Sequence, residues 1–385
     1  MNKALQKWLT LTTAGMVTLS AISGLTACGK DKAIILKNVT QAKNVILLIG
    51  DGMGPEQIKA GELFKGKKLA MQGFPYMTKV ETRSYSSDVT DSAAAATALA
   101  TGQRTINGVV GRDPYYRDLE TIVDIAHSLG KRTGILATEE LYGATPMGFS
   151  GHADARGDSE VLLEAAAQSS NVNLFASSTI SLSYQSIFTD AGYTQLENAD
   201  DISTCTADKV YGSYTIAATF DEMLAEGSNV AFDRLVTEAL EYLSQDEDGF
   251  FLMAEGSHID HGGHNNNICY MLEELIAFDN AVQAVLEWAK GRDDTVVIVT
   301  ADHETGGLML EEGVTHAEMV ETYEEFGRSS CYRWTTSGHT GVDVNCYING
   351  ADIDFAKYSF GMKDRIQNTD VFQIMKHLMK GDSAE

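Results

Sequence analysis

Short, unbroken apolar runs alternate along this chain with longer stretches of helical periodicity. Asn44 to Ile49 is rich in branched residues and closed by glycine, which predicts a strand buried on both faces. Runs of the same kind lie at Thr133 to Ala137, Gly249 to Ala254 and Thr295 to Thr300. Helical spacing covers Ser92 to Ala100, Thr121 to Leu129, Val161 to Ala167, Ala231 to Leu243 and Met271 to Lys290. Strand and helix in alternation predict an α/β fold, a three-layer sandwich whose large, mostly parallel central sheet carries helices on both faces. Two stretches break the pattern. Asn171 to Asn229 mixes short apolar pieces with Ser, Thr, Asp and Gly and predicts an irregular region with a short strand or two. Glu311 to Arg328 is acidic and helical in propensity, and predicts a solvated excursion within an insertion spanning 305–336. With four prolines and no internal repeat, residues 44–385 are expected to form a single catalytic domain.

In parallel sheets ligands gather at the carboxyl ends of strands, and the polar islands of this chain follow predicted strands. They are Gly50-Asp51-Gly52-Met53-Gly54, Glu255-Gly256 with Asp260 and His264, Thr300-Ala301-Asp302-His303-Glu304, and the later Ser337-Gly338-His339. Asp260 and His264 stand four apart, so one helical turn aims both at a single cation. Asp260, His264 and His339 then make three ligands with a position left open, as in hydrolytic zinc sites. Asp51, Ser92, Asp302 and His303 make a second set of four. Ser92 opens an alanine-rich helix, near the positive end of its dipole, where it either caps the helix or acts as a nucleophile. No Gly-x-Ser-x-Gly elbow is present, which argues against a metal-free esterase.

The address and charge of the chain narrow its partners. Lys3 and Lys7 precede an apolar stretch, and Leu25-Thr26-Ala27-Cys28 places small residues before a cysteine, which predicts a lipoprotein signal over 1–27 with lipid on Cys28. That stretch is short for a membrane span and rich in Thr and Ser. Residues 28–43 would serve as a tether, leaving the protein exported and anchored on a bacterial membrane at the cell surface or periplasmic face. The formal charge is −25, and loss of the two lysines would make it −27. Such a surface repels nucleic acid, so attraction of a phosphate must come from bound cations and placed arginines. An exported location permits disulfides, and Cys331 and Cys346 flank His339 where a bridge would brace that loop.

Taken in order and spacing, Asp51-Gly52-Met53-Gly54, Asp91-Ser92-Ala93 with Thr101-Gly102, Glu255-Gly256 leading to Asp260 and His264, Thr300-Ala301-Asp302-His303-Glu304 and Gly338-His339 resemble the alkaline phosphatase family. The resemblance runs from about Asn44 to the C-terminus. It implies hydrolysis of phosphate monoesters through a phosphoserine at Ser92, with two zinc ions and a neighbouring magnesium. Asp260, His264 and His339 would hold the first zinc; Asp51, Ser92, Asp302 and His303 the second. Asp51 would also bridge to magnesium, joined by Glu255 and Thr145. Arg156 falls where the family clamps phosphate, and His261 stands beside Asp260 to touch the phosphate or its waters. Two departures accompany the match. Gly143 stands where relatives commonly carry an Asp or His that supports the magnesium waters. The chain is also compact where relatives insert a crown-like domain and an N-terminal arm, which leaves open the homodimer common in the family. A phosphodiesterase or other hydrolase of the same superfamily and a non-catalytic phosphate- or zinc-binding surface lipoprotein are the rival readings.

Overall fold

The computed structural model describes residues 34–168, 171–216, 229–358 and 364–381. The expected signal segment and Cys28 lie outside them. The first elements are β1 (Asn44–Gly50), α1 (Pro55–Lys65), β2 (Tyr76–Glu81), α2 (Ser92–Thr101), α3 (Ile122–Ser128), β3 (Arg132–Glu140), α4 (Ala144–Ser150) and α5 (Ser159–Gln168). A middle group follows: β4 (Leu174–Ser178), α6 (Leu182–Asp190), β5 (Thr194–Leu196), β6 (Val210–Ile216), β7 (Asn229–Val230), α7 (Phe232–Leu243) and β8 (Phe250–Gly256). Next come α8 (His258–His264), α9 (Ile268–Ala289), β9 (Thr295–Thr300), β10 (Glu304–Thr305), β11 (Leu308–Leu310) and α10 (His316–Glu324). The chain closes with β12 (Tyr332–Trp334), β13 (His339–Thr340), β14 (Val344–Asn349), β15 (Arg365–Gln367) and α11 (Asn368–Lys380).

One sheet carries the molecule, in the order β15-β2-β14-β9-β1-β8-β3-β4-β6-β5, with β7 paired to β6. The central strands β9, β1, β8, β3, β4 and β6 are parallel, whereas β14 runs antiparallel between β9 and β2. Every residue of β1, β8 and β9 is buried, as unbroken apolar runs require when helices cover both faces. The helices pack in two sets, α2 with α4 and α11, and α9 with α1 and α7. α7 shows why: Phe232, Leu235, Val236, Ala239, Leu240 and Leu243 recur at helical spacing and are all buried. α2 is buried along its whole length, which its run of small alanine side chains allows.

Register brings the chemistry together. β1 pairs in phase with β8 and β9, setting Gly50 opposite Gly256 and Ile49 opposite Thr300. Asp51, Glu255 and Asp302 therefore leave one edge of the sheet side by side.

The regions left unresolved by the sequence pattern are more ordered than expected. Within the stretch from Asn171 to Asn229, residues 171–216 supply β4, β5 and β6, which extend the parallel sheet; their apolar runs are short because they lie toward its edge. The acidic excursion is not merely solvated: Met319 and Thr322 of α10 are buried, and the Tyr323 ring lies 4.8 Å from that of Phe64 on α1. From Ile34 the chain already lies against the core, with Leu36 buried and its amide donating to Asn349 Oδ1 at 2.8 Å.

The cysteine bridge is corrected. Cys331 and Cys346 are both free. Cys346 is fully buried within β14, whereas the Cys331 thiol meets Thr322 Oγ1 at 3.2 Å, on α10. Flanking His339 in sequence does not bring the two sulfurs together.

Candidate active site

Asp51 follows β1 and its amide donates to Gly256 O at 3.1 Å, continuing the sheet's pairing by one residue. The next residue must be glycine: Gly52 has φ +73°, and a Cβ there would stand 2.7 Å from the Asp260 Cα. α8 can therefore press against the turn after β1, carrying Asp260 into the site. Its single turn sets Asp260 Oδ2 3.2 Å from His264 Nε2, the geometry anticipated from their spacing.

β10 and β13 supply the opposite wall. Their antiparallel pairing sets Thr305 opposite His339 and Glu304 opposite Thr340. Glu304 accepts hydrogen bonds from Gln57 Nε2 at 2.7 Å and from the Thr340 hydroxyl, fastening β13 to α1. His339 Nε2 then lies 3.2 Å from His264 Nε2 and 3.6 Å from Asp260 Oδ1. Backbone carbonyls fix both rings from behind, Thr90 O at 2.9 Å from His339 Nδ1 and Ser337 O at 2.6 Å from His264 Nδ1. Each inner nitrogen is thus left to face the site.

A second group surrounds His303. Its Nε2 lies 3.0 Å from Asp302 Oδ2, 3.5 Å from Asp51 Oδ1 and 3.2 Å from Ser92 Oγ. Its Nδ1 meets Thr305 Oγ1 at 3.1 Å, and the same hydroxyl donates to Asp260. The His303 and His339 rings stack with centroids 3.5 Å apart. Five of the nine residues read as metal ligands fall into two clusters of donor atoms. Asp260, His264 and His339 form one group and Asp51, Asp260 and His303 another, each with ligand atoms within 4.8 Å of one another. Asp260 stands between the two groups, a position not anticipated from sequence.

These residues fit bound cations on chemical grounds. Asp51 Oδ1, both oxygens of Glu255 and the Thr145 hydroxyl are buried without a well-formed hydrogen bond, and Asp302 Oδ2 has only the His303 ring nitrogen at 3.0 Å. Burying an unpaired carboxylate is costly, so such groups are retained where a cation meets them. The protein alone leaves the electrostatics unbalanced. Burial, and then the charges of Asp302, Asp260 and Glu255, raise Asp51 far above the usual carboxylate range. Burial and Glu139 do the same to Glu255. Against the upward push of burial, the His264 hydrogen bond and the His303 charge hold Asp260 low. The Asp260 hydrogen bond in turn lifts His264 to about 9.

Ser92 is the first residue of α2. Asp91 caps that helix, its Oδ1 accepting from the Ala94 amide at 3.0 Å. Capping and site chemistry thus fall on neighbouring residues rather than competing for one. Asp91 Oδ2 accepts from the Gly108 amide at 3.0 Å and lies 3.4 Å from Arg156 Nη1. The Arg156 amide donates to Gly108 O, so the loop is gripped at both ends and the guanidinium, 44% exposed, stands beside Asp91, the residue before Ser92. His261 lies elsewhere on the rim, with Nε2 3.9 Å from Glu139 Oε2. Thr145 sits in the first turn of α4, buried with Glu255. Sequence reasoning missed Thr305 and Glu139, and quoted Glu304 within its island without giving it a role. Thr305 and Glu304 lie beside Asp302-His303 and had that proximity as their only signal.

A family model described as alkaline phosphatase matches residues 42–213 and 225–322. The chain belongs to the alkaline phosphatase family. It is 31% identical over 298 residues to alkaline phosphatase 3 of Bacillus subtilis, covering 71% of this chain and 63% of that one. It is 32% identical over 329 residues to the Escherichia coli alkaline phosphatase, covering 68% and 70%. The chain thus matches about two thirds of the length of these family members. Among solved structures, a variant of the alkaline phosphatase from the Antarctic bacterium TAB5, with Mg bound in its M3 site, superimposes with a TM-score of 0.72 at 29% identity, covering 89% of this chain and 99% of that one. The sandwich and its mixed, mostly parallel sheet are those of alkaline phosphatases.

Proposed function

We propose that this chain is a metal-dependent phosphomonoesterase that works through a phosphoserine at Ser92. The observation that carries this reading is the serine hydroxyl, 3.2 Å from His303 Nε2 and beside two groups of donors whose charge the protein leaves uncompensated. Asp260, His264 and His339 would hold one zinc, Asp51, Ser92, Asp302 and His303 a second, and Asp51, Thr145 and Glu255 a magnesium. When bound, these ions would lower the pKa of the Ser92 hydroxyl and neutralise charge on the departing ester oxygen. Arg156 would orient the nonbridging phosphate oxygens through two parallel hydrogen bonds. Ser92 Oγ, having lost its proton, forms a bond to phosphorus as the ester P–O bond breaks, and the alcohol leaves with a proton from solvent. A water then attacks phosphorus from the vacated side, and Ser92 recovers its proton as phosphate is released. His261, at the rim, would contact phosphate or its waters.

The test is turnover of a chromogenic monoester, a diester and a sulfate ester by the purified, zinc-loaded protein. The monoester should be hydrolysed fastest. Preference for the diester would establish the phosphodiesterase reading, and saturable binding without product the non-catalytic one. We also propose export and lipid anchoring through Cys28; among the described residues no helix is long and apolar enough to cross a membrane. Substitution of Cys28 should release the protein from the membrane fraction.

A further inference from the structure

Glu139 sits where β3 loses its regular pairing with β4, in the irregularity between Leu136 and Glu140. Its amide donates to Ser257 Oγ at 3.3 Å and the Ser257 amide donates to Thr138 Oγ1 at 2.8 Å, so the ends of β3 and β8 are tied together. The carboxylate then enters space that a glycine leaves. A Cβ added at Gly143 would lie 1.8 Å from Glu139 Oε1, far inside any tolerable contact. The Glu139 carboxylate thus fills the volume in which a side chain at position 143 would begin.

Nothing in the protein satisfies that carboxylate. It takes no hydrogen bond among the described residues, and the imidazole of His261 stands 3.9 Å away. The register of β3 sets Ala137, two residues before it, opposite Glu255, which is wholly buried with the hydroxyls of Thr145 and Ser257 beside it. A carboxylate that meets only a distant imidazole and a little solvent, set beside the wholly buried Glu255, suits a cation close to both.

We propose that Glu139 is a positioning residue for the third cation, holding that ion's waters from the place a side chain at 143 would otherwise occupy. This rests on the reading of Asp51, Thr145 and Glu255 as the ion's direct holders. Magnesium suits the arrangement, because it keeps several waters and takes few protein carboxylates.

The experiment is calorimetric titration of MgCl2 into zinc-loaded protein, with zinc content measured by elemental analysis. Glu139→Gln, which keeps shape and removes charge, should weaken magnesium binding about 10- to 100-fold with zinc content unchanged. The double variant Glu139→Ala, Gly143→Asp moves a carboxylate to the other side of the same space and should recover most of the affinity, which a purely structural role for Glu139 would not predict. Unchanged affinity in Glu139→Gln, or no recovery in the double variant, overturns the proposal. Glu255→Gln separates the two layers. If it abolishes magnesium binding while Glu139→Gln does not, only the role of Glu139 falls; if neither changes it, the reading of the third site falls too.

Discussion

Ser92 and Thr305 carry the most chemistry per atom in the site. Ser92→Ala removes one oxygen at the head of a helix whose cap is Asp91, so folding should be preserved. Monoester turnover should fall by at least about a thousandfold, since removing one member of a concerted set costs nearly as much as removing all of it. A loss under tenfold at normal metal content would take Ser92 out of the mechanism. Thr305 never touches substrate on this account, but its hydroxyl joins Asp260 to His303 Nδ1. Thr305→Val should leave both without that partner, costing about 1–3 kcal/mol of stability and about 10- to 100-fold in metal affinity. Retention of metal during chelator dialysis at the wild-type rate would contradict this. The clustered carboxylates and imidazoles stood out in the sequence because they follow predicted strands. Thr305 did not, because threonine is common in every context and its role depends on two side chains brought near by folding.

At the scale of elements, β1, β8 and β9 were readable since burial on both faces leaves an unbroken apolar signature. β2, β14 and β15 were not. They lie on the antiparallel side of the sheet, where half-exposed strands such as Tyr76–Glu81 and the three-residue β15 carry mixed composition. This side is held partly by charge. Glu81 on β2 meets Arg104 at 2.9 Å, Arg83 at 3.3 Å and Arg365 of β15 at 3.3 Å. Burial pushes the Glu81 carboxyl up, but these arginines outweigh it and leave its pKa below the usual value. A carboxyl depressed in the folded state adds stability above its unfolded pKa and loses it as pH falls through the folded one. Glu81→Gln should therefore destabilise by about 1–2 kcal/mol at pH 7, with the gap to wild type closing below about pH 4. Denaturant melts at both pH values check it; a gap independent of pH would contradict it. Glu304 does the corresponding work for β13. Glu304→Ala should cost about 2–3 kcal/mol and loosen His339, by stranding the Thr340 hydroxyl and leaving Gln57 Nε2 only its Thr305 carbonyl partner. Wild-type stability and metal content in that variant would contradict the account.

For the whole molecule, one register of parallel strands brings residues more than 250 positions apart to a common edge, which no local pattern could show. The α/β class was legible; the contribution of residues 171–216 to the sheet was not, because short edge strands resemble loops in composition. Since the site gathers carboxylates that the protein does not neutralise, cation binding should be linked to global stability. Chelation should lower the thermal midpoint by several degrees, and added zinc should restore it; a midpoint indifferent to chelator would contradict that linkage. Of all measurements, the most direct is mass spectrometry of zinc-loaded protein mixed with a monoester and quenched in acid. The account predicts phosphate on the peptide bearing Ser92, absent in Ser92→Ala. Continued turnover with no modified Ser92 at any quench time, or phosphate on another residue, would contradict it.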